Sequence, residues 1–139
     1  MKVLIVMHCS NTIYGAAKSL QKLIEICDWD IDIIYPNSFF RPVKQDVIEK
    51  YAMGKAGFVK SLYLPFREKA VYDKTFTVKE IIWESIKRTL EFFDRFKLKK
   101  IIKDGHYDFV LFNSIVLYPL FNITNNSIVY VREMVVDQG

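Results

Sequence analysis

Three short stretches carry residue types that could do chemistry, and each directly follows an apolar run. The first is His8-Cys9-Ser10-Asn11-Thr12-Ile13-Tyr14-Gly15, which leads into Ala16-Ala17. The second is Asn113-Ser114, after Phe109–Phe112, and the third is Arg132-Glu133, after Ser127–Val131. A small-residue turn at Gly15-Ala16 opening a helix offers free backbone N–H groups and the positive end of the helix dipole, which is an anion site. Its plainer reading is a tight strand-to-helix turn. Asn113 and Ser114 could bond a hydroxylated ligand or cap a short helix. Arg132 and Glu133 would contact a ligand or form a local ion pair at a strand end. His8 would be a base, a phosphate contact or a structural residue.

Other chemistries lack their residues. The first loop has neither Gly-x-Gly-x-x-Gly nor Gly-x-x-x-x-Gly-Lys-[Ser/Thr], so neither dinucleotide nor P-loop binding is expected. There is no Gly-x-Ser-x-Gly elbow, and Cys9 has no evident base beyond its neighbour His8. His8 and His106 lack the Cys, His or Asp spacing of a metal site, so neither metal nor resident cofactor is expected. A phosphoacceptor domain would want paired acids after the first strand, and Met7-His8-Cys9-Ser10 supplies none.

The positioning elements follow from periodicity. Lys2–His8 is continuous, β-branched and apolar, the signature of a buried parallel strand. Ala16–Ile26 has helical spacing, with Ala17, Leu20, Leu23, Ile24 and Cys27 on one face. Ile31–Tyr35 predicts a second strand and Val43–Met53 a second helix, begun at Pro42 and ended by Gly54 and Gly57. Phe58–Leu64 predicts a third strand, and a loop spans Phe66 to Phe76. Thr77 with Glu80 forms a capping box ahead of one long helix, Val78–Lys103, closed by Gly105. Asp108–Phe112, Ser114–Phe121 and Ser127–Val131 complete the series as strand, short helix and strand. This alternation predicts an α/β fold: a Rossmann-like, doubly wound parallel sheet in three layers with about five strands. In such a sheet ligands bind beyond the carboxyl ends of the strands, where all three stretches fall.

The chain has 139 residues, enough for one domain of the usual roughly 100–200. Apolar residues make up 51% and charged residues 26%, which excludes intrinsic disorder. No apolar run approaches the ~20 residues that span a bilayer. Two cysteines make no disulfide framework, so a reducing cytoplasm is expected. The net charge of +4 is too small to call for nucleic acid, and no RNA-binding aromatic motif appears. The positive charge is concentrated in Lys87, Arg88, Arg95, Lys97, Lys99, Lys100 and Lys103, against Glu91 and Asp94. That block is a solvated helix face or, with Phe92, Phe93, Phe96 and Leu98 among its lysines, a surface for docking at an anionic bilayer.

Lys2-Val3-Leu4-Ile5-Val6 followed by Gly15-Ala16-Ala17-Lys18-Ser19-Leu20 resembles the opening of family 4 retaining glycosyltransferases of the GT-B fold. Tyr107–Ser114 resembles their Asp-hydrophobic-Val-His-x-His strand, and Ile128–Glu133 the strand after it. The likeness runs from residue 1 to about residue 135 and rests on the order and spacing of loose motifs. Tyr14 stands where a second glycine is usual, Lys18 where an acid is, and Asn113 and Ser114 where histidines are common.

The resemblance implies the acceptor-side half of an enzyme that moves a sugar from a nucleotide-diphosphate donor to a glycan or lipid-linked acceptor. Polysaccharide or glycoconjugate synthesis at the inner face of a membrane is the implied setting. Gly15 and Ala16 would approach the diphosphate; His8, Asn113, Ser114, Arg132 and Glu133 would line the substrate pocket. The catalytic residues stay unassigned. Residues 1–139 are expected to be one N-terminal domain cut short after a strand, inactive without its donor-binding half. The alternatives are a stand-alone Rossmann-like module that binds a nucleotide or a protein, and one subunit of a split glycosyltransferase.

Overall fold

The computed structural model describes residues 1–8, 16–37, 44–64 and 77–130. The elements are β1 (Lys2–Val6), α1 (Ala16–Ile26), β2 (Asp30–Pro36), α2 (Gln45–Tyr51), β3 (Ala56–Leu62), α3 (Val78–Gly105), β4 (Phe109–Phe112), a 3-10 helix (Ile115–Ile123) and β5 (Ser127–Val129). The five strands form one all-parallel sheet in the order β3-β2-β1-β4-β5. Winding runs outward from β1 to β3, crosses back through α3 to β4 on the other side of β1, and continues to β5. The order therefore switches between β1 and β4. The fold is α/β, Rossmann-like and doubly wound.

Side-chain alternation along β1 supplies both faces of the core. Val3, Ile5 and Met7 pack with Leu20 and Ile24 of α1 and with Ile48 and Tyr51 of α2. Leu4 and Val6 pack on the opposite face with Leu98 of α3 and with Leu117 and Leu120 of the 3-10 helix. Burial on both sides is why β1 reads as an unbroken apolar run instead of an alternating one.

Several boundaries differ from the sequence expectation. Gly105 does not close α3: it is the last helical residue, and His106 takes the left-handed turn at φ 50°. Gly57 does not end α2; it lies within β3, where a Cβ would sit 3.3 Å from Asp32 Oδ1. α2 stops at Tyr51, and the left-handed residues Met53 and Gly54 turn the chain into β3. Ser114–Phe121 winds as a 3-10 helix with Pro119 inside, since proline has no N–H to donate to an α-helical ladder. The Thr77 capping box forms as expected, with Thr77 N–H donating to Glu80 Oε2 at 2.8 Å. The Pro42 start and the loop at residues 66–76 lie outside the described residues.

A polar clamp fastens the amino ends of β1, β2 and β4. Tyr107 O–H donates to Asp32 Oδ2 at 2.7 Å, Lys2 Nζ lies 3.9 Å from the same oxygen, and Lys2 N–H donates to Asp108 Oδ2 at 2.6 Å. Lys2 Nζ also stands 5.1 Å from the Tyr107 ring centre. Burial, with the bond to and charge of Asp32, holds the Tyr107 phenol well above the ordinary tyrosine range. The folded state thus favours the protonated phenol. Its contribution is fully present below about pH 10, where tyrosine ionises in the unfolded chain, and is lost as pH rises beyond that. We expect the urea midpoint to fall more steeply above about pH 10 in the parent than in Tyr107→Phe. Equal slopes in the two proteins would exclude Tyr107 as the titrating group.

Candidate functional site

The carboxyl edge of the sheet is built by backbone bonds that extend the ladders past the strand ends. Met7 N–H donates to Ile34 O at 2.8 Å, Asn113 N–H to Val6 O at 3.0 Å, and Tyr130 N–H to Phe112 O at 2.8 Å. The ends of β1 and β4 are thereby held side by side at the switch in strand order, the place where an open α/β sheet leaves a crevice for ligands. His8 stands half-buried two residues beyond β1, and Ala16 begins α1 above the same edge. No acid occupies the first turn of α1 to neutralise its dipole.

Asn113 and Ser114 are the buried polar pair at this edge, 3% and 5% exposed. Among the described residues Asn113 Oδ1 has no hydrogen-bond partner. A buried acceptor left unmade costs about 1–3 kcal/mol, so this amide is held against its own stability. A hydroxyl or N–H brought within reach would satisfy it. Ser114 turns the chain into the 3-10 helix through its carbonyl, which accepts from Leu117 N–H at 3.2 Å. Asn113→Leu keeps the shape and deletes the orphaned acceptor. We expect it to raise the unfolding free energy by about 1 kcal/mol in urea denaturation, and a loss of stability would refute the reading of Oδ1 as unsatisfied.

Of the residues expected from sequence, the structure brings His8, Ala16, Asn113 and Ser114 to this one edge. Gly15, Arg132 and Glu133 lie outside the described residues. Among the described residues no group of three or more His, Cys, Asp or Glu could hold a metal ion.

Sequence reasoning missed a second polar cluster, at the opposite end of the sheet. An open hollow of about 620 Å³ there is lined by Asp32, Lys60, Lys97, Lys100 and Tyr107 among others. Its only sequence signal is Asp32, an acid inside the apolar run Ile31–Tyr35. Asp32 is engaged by Tyr107 and Lys2, and Lys97 by Asp94, whereas Lys60 and Lys100 make no ion pair among the described residues. The hollow is the outer side of the clamp.

No protein-family profile, curated protein or solved structure matches the chain.

Proposed function

We propose that this chain is the acceptor-side Rossmann-like domain of a retaining glycosyltransferase that uses a nucleotide-diphosphate sugar and builds a polysaccharide or glycoconjugate. The observation that carries the reading is Asn113: a buried acceptor at the β1/β4 switch point, without a partner among the described residues. Sugars present many hydroxyl donors, and a fixed amide acceptor away from water discriminates among them strongly. In this reading the backbone N–H groups at Gly15 and Ala16 face the donor diphosphate. Asn113 and Ser114 bond sugar hydroxyls, and His8, Arg132 and Glu133 complete the wall. Transfer itself needs cations that stabilise the leaving diphosphate, and in the resembled family these come from the donor-binding half.

Amide NMR of the isotopically labelled chain tests this through binding. Titration with a uridine-diphosphate sugar should shift the amides of His8, Ala16, Asn113 and Ser114, and Asn113→Leu should weaken the effect. Uridine diphosphate without the sugar should shift Ala16 but leave Asn113 in place. Silence at millimolar ligand, or shifts confined to Asp32 and Tyr107, would overturn the proposal. ATP binding as tightly as the nucleotide sugar would replace it with a general nucleotide-binding module.

A further inference from the structure

Among the described residues, helix α3 buries side chains against the sheet in its carboxyl-terminal half. Its fully buried residues are Asp94 and Leu98, and Ile101 and Ile102 pack beside Leu98 against the sheet. Toward the amino end the helix carries an apolar face that stands exposed among the described residues. Val78 is 75% exposed, Phe92 59%, Phe93 57% and Phe96 58%, with Ile81 and Ile82 exposed beside them. At 3.6 residues per turn Phe96 points about 160° away from both Asp94 and Leu98, so this stripe faces away from the sheet. From Val78 to Phe96 it runs for about 27 Å. Phe92 stacks edge-on with Phe93 and Phe96, at ring-centre distances of 5.8 and 5.0 Å.

Most of the cations lie around the stripe, with Lys87 on the sheet side and Asp104 beside Lys97, which pairs with Asp94. By the same rotation Lys79 and Lys97 flank one side, Arg88 and Arg95 the other, and Lys99, Lys100 and Lys103 continue it toward the carboxyl end. Glu80, Glu84, Glu91 and Asp94 fall on the sheet side of the helix. Arg95, Lys99, Lys100 and Lys103 make no ion pair among the described residues. The middle of the stripe holds Ser85 and Thr89, whose hydroxyls donate to the carbonyls of Ile81 and Ser85, each at 2.9 Å. Their donors are thus satisfied by the helix itself and can enter an apolar medium without loss.

We infer that this face of α3 is a docking surface for an anionic lipid bilayer, lying in the plane of the interface with the phenylalanines inserted and the cations over the headgroups. Two observations select the occupant. A second copy seated on the stripe would set cations against cations on both flanks. A continuous anionic plane instead matches cations spread on both sides and along the axis, around an apolar centre rich in Phe. Among the described residues no helix is long and apolar enough to cross a membrane, so the contact is with one leaflet. The inference rests on α3 alone and is independent of the proposed sugar transfer.

Vesicle flotation of the full chain tests it. The probes are phosphatidylcholine vesicles and the same vesicles carrying about a third phosphatidylglycerol. We expect retention on the anionic vesicles at least about tenfold above the neutral ones, declining with added salt. Arg95→Glu/Lys99→Glu/Lys103→Glu and Phe92→Ser/Phe93→Ser/Phe96→Ser should each reduce it by about tenfold or more. All six positions are exposed, and an unchanged circular-dichroism melt verifies the fold of each variant. Equal retention on neutral and anionic vesicles, or no effect of either triple variant, would overturn the inference. A dimer in sedimentation that the Phe variant abolishes would assign the face to a second copy. Retention on polyglutamate with none on vesicles would assign it to an acidic protein.

Discussion

Asp94→Ala should lower the unfolding free energy by about 3 kcal/mol, because this one carboxylate ties the long helix to the sheet. Its Oδ2 accepts the backbone N–H of Tyr63 at 2.7 Å, and its Oδ1 accepts from Lys97 Nζ at 2.8 Å. Tyr63 is the first residue past β3, so the bond joins α3 to the sheet's outer edge. The two bonds are unequal. The Lys97 side chain is 61% exposed and returns to water when its partner is removed, which costs little. Asp94 is only 7% exposed, and deleting it takes from the Tyr63 amide a charged acceptor inside the protein. Hydrogen bonds to charged groups contribute about 1.5–3 kcal/mol, and an unmade buried donor costs a similar amount. Asp94→Asn keeps an oxygen for the amide and should lose only about 1 kcal/mol. Urea denaturation gives the difference, and amide exchange at Tyr63 should quicken in Asp94→Ala. A change under about 0.5 kcal/mol would show that α3 is held by Leu98 and its neighbours alone.

The same carboxylate shows what periodicity reveals and what it hides. In sequence Asp94 belongs to a mixed-charge helix and reads as one of two acids among seven bases. Nothing there distinguishes it from Glu91, because its partner is a backbone N–H 31 residues away, supplied by the fold. Val78, Ile82, Ile86, Leu90, Phe93 and Ile101 recur at helical spacing, and the helix they predict forms over Val78–Gly105. Spacing establishes that a helix exists and not which side is covered. Leu98 and Ile101 face the sheet, whereas Val78, Ile82, Ile86 and Phe93 stand exposed.

Elements governed by local rules were legible. The α1 bounds, Ala16–Ile26, match the expectation at both ends, and Thr77 with Glu80 marks the start of α3 through a capping interaction only three residues long. The five strands and their parallel sense follow from alternation with helices. The edge at which His8, Asn113 and Ser114 gather was also legible, since strand ends in such a sheet share one edge. That Asn113 Oδ1 is orphaned was not, because its isolation depends on packing around residues that are distant in sequence. Asp32 was hidden for the same reason: its partners Lys2 and Tyr107 lie 30 and 75 residues away.

Gly105→Ala should destabilise the protein by about 2 kcal/mol, against the ordinary preference for alanine in a helix. Alanine inside an exposed helix gains up to about 1 kcal/mol over glycine, so helix propensity alone predicts stabilisation. Here a Cβ would fall 2.6 Å from Cζ and 2.9 Å from Cδ2 of the Tyr107 ring, closer than such atoms pack. The ring has little freedom to retreat: its O–H is bonded to Asp32 and Lys2 Nζ sits over its face. Either the ring swings away and gives up the bond to Asp32, or the end of α3 shifts from β4. Overpacking of this kind costs about 1–3 kcal/mol, and loss of a charged hydrogen bond adds to it. Steric crowding therefore outweighs propensity. A double-mutant cycle isolates the cause. In a Tyr107→Ala background the crowding is gone, and Gly105→Ala should become neutral or stabilising by up to about 1 kcal/mol. The reversal of sign between the two backgrounds is the result to look for in the urea midpoints of the four proteins. A stabilising Gly105→Ala in the parent would mean the ring moves freely, and that the Lys2–Asp32–Tyr107 clamp does not hold the amino ends of the strands.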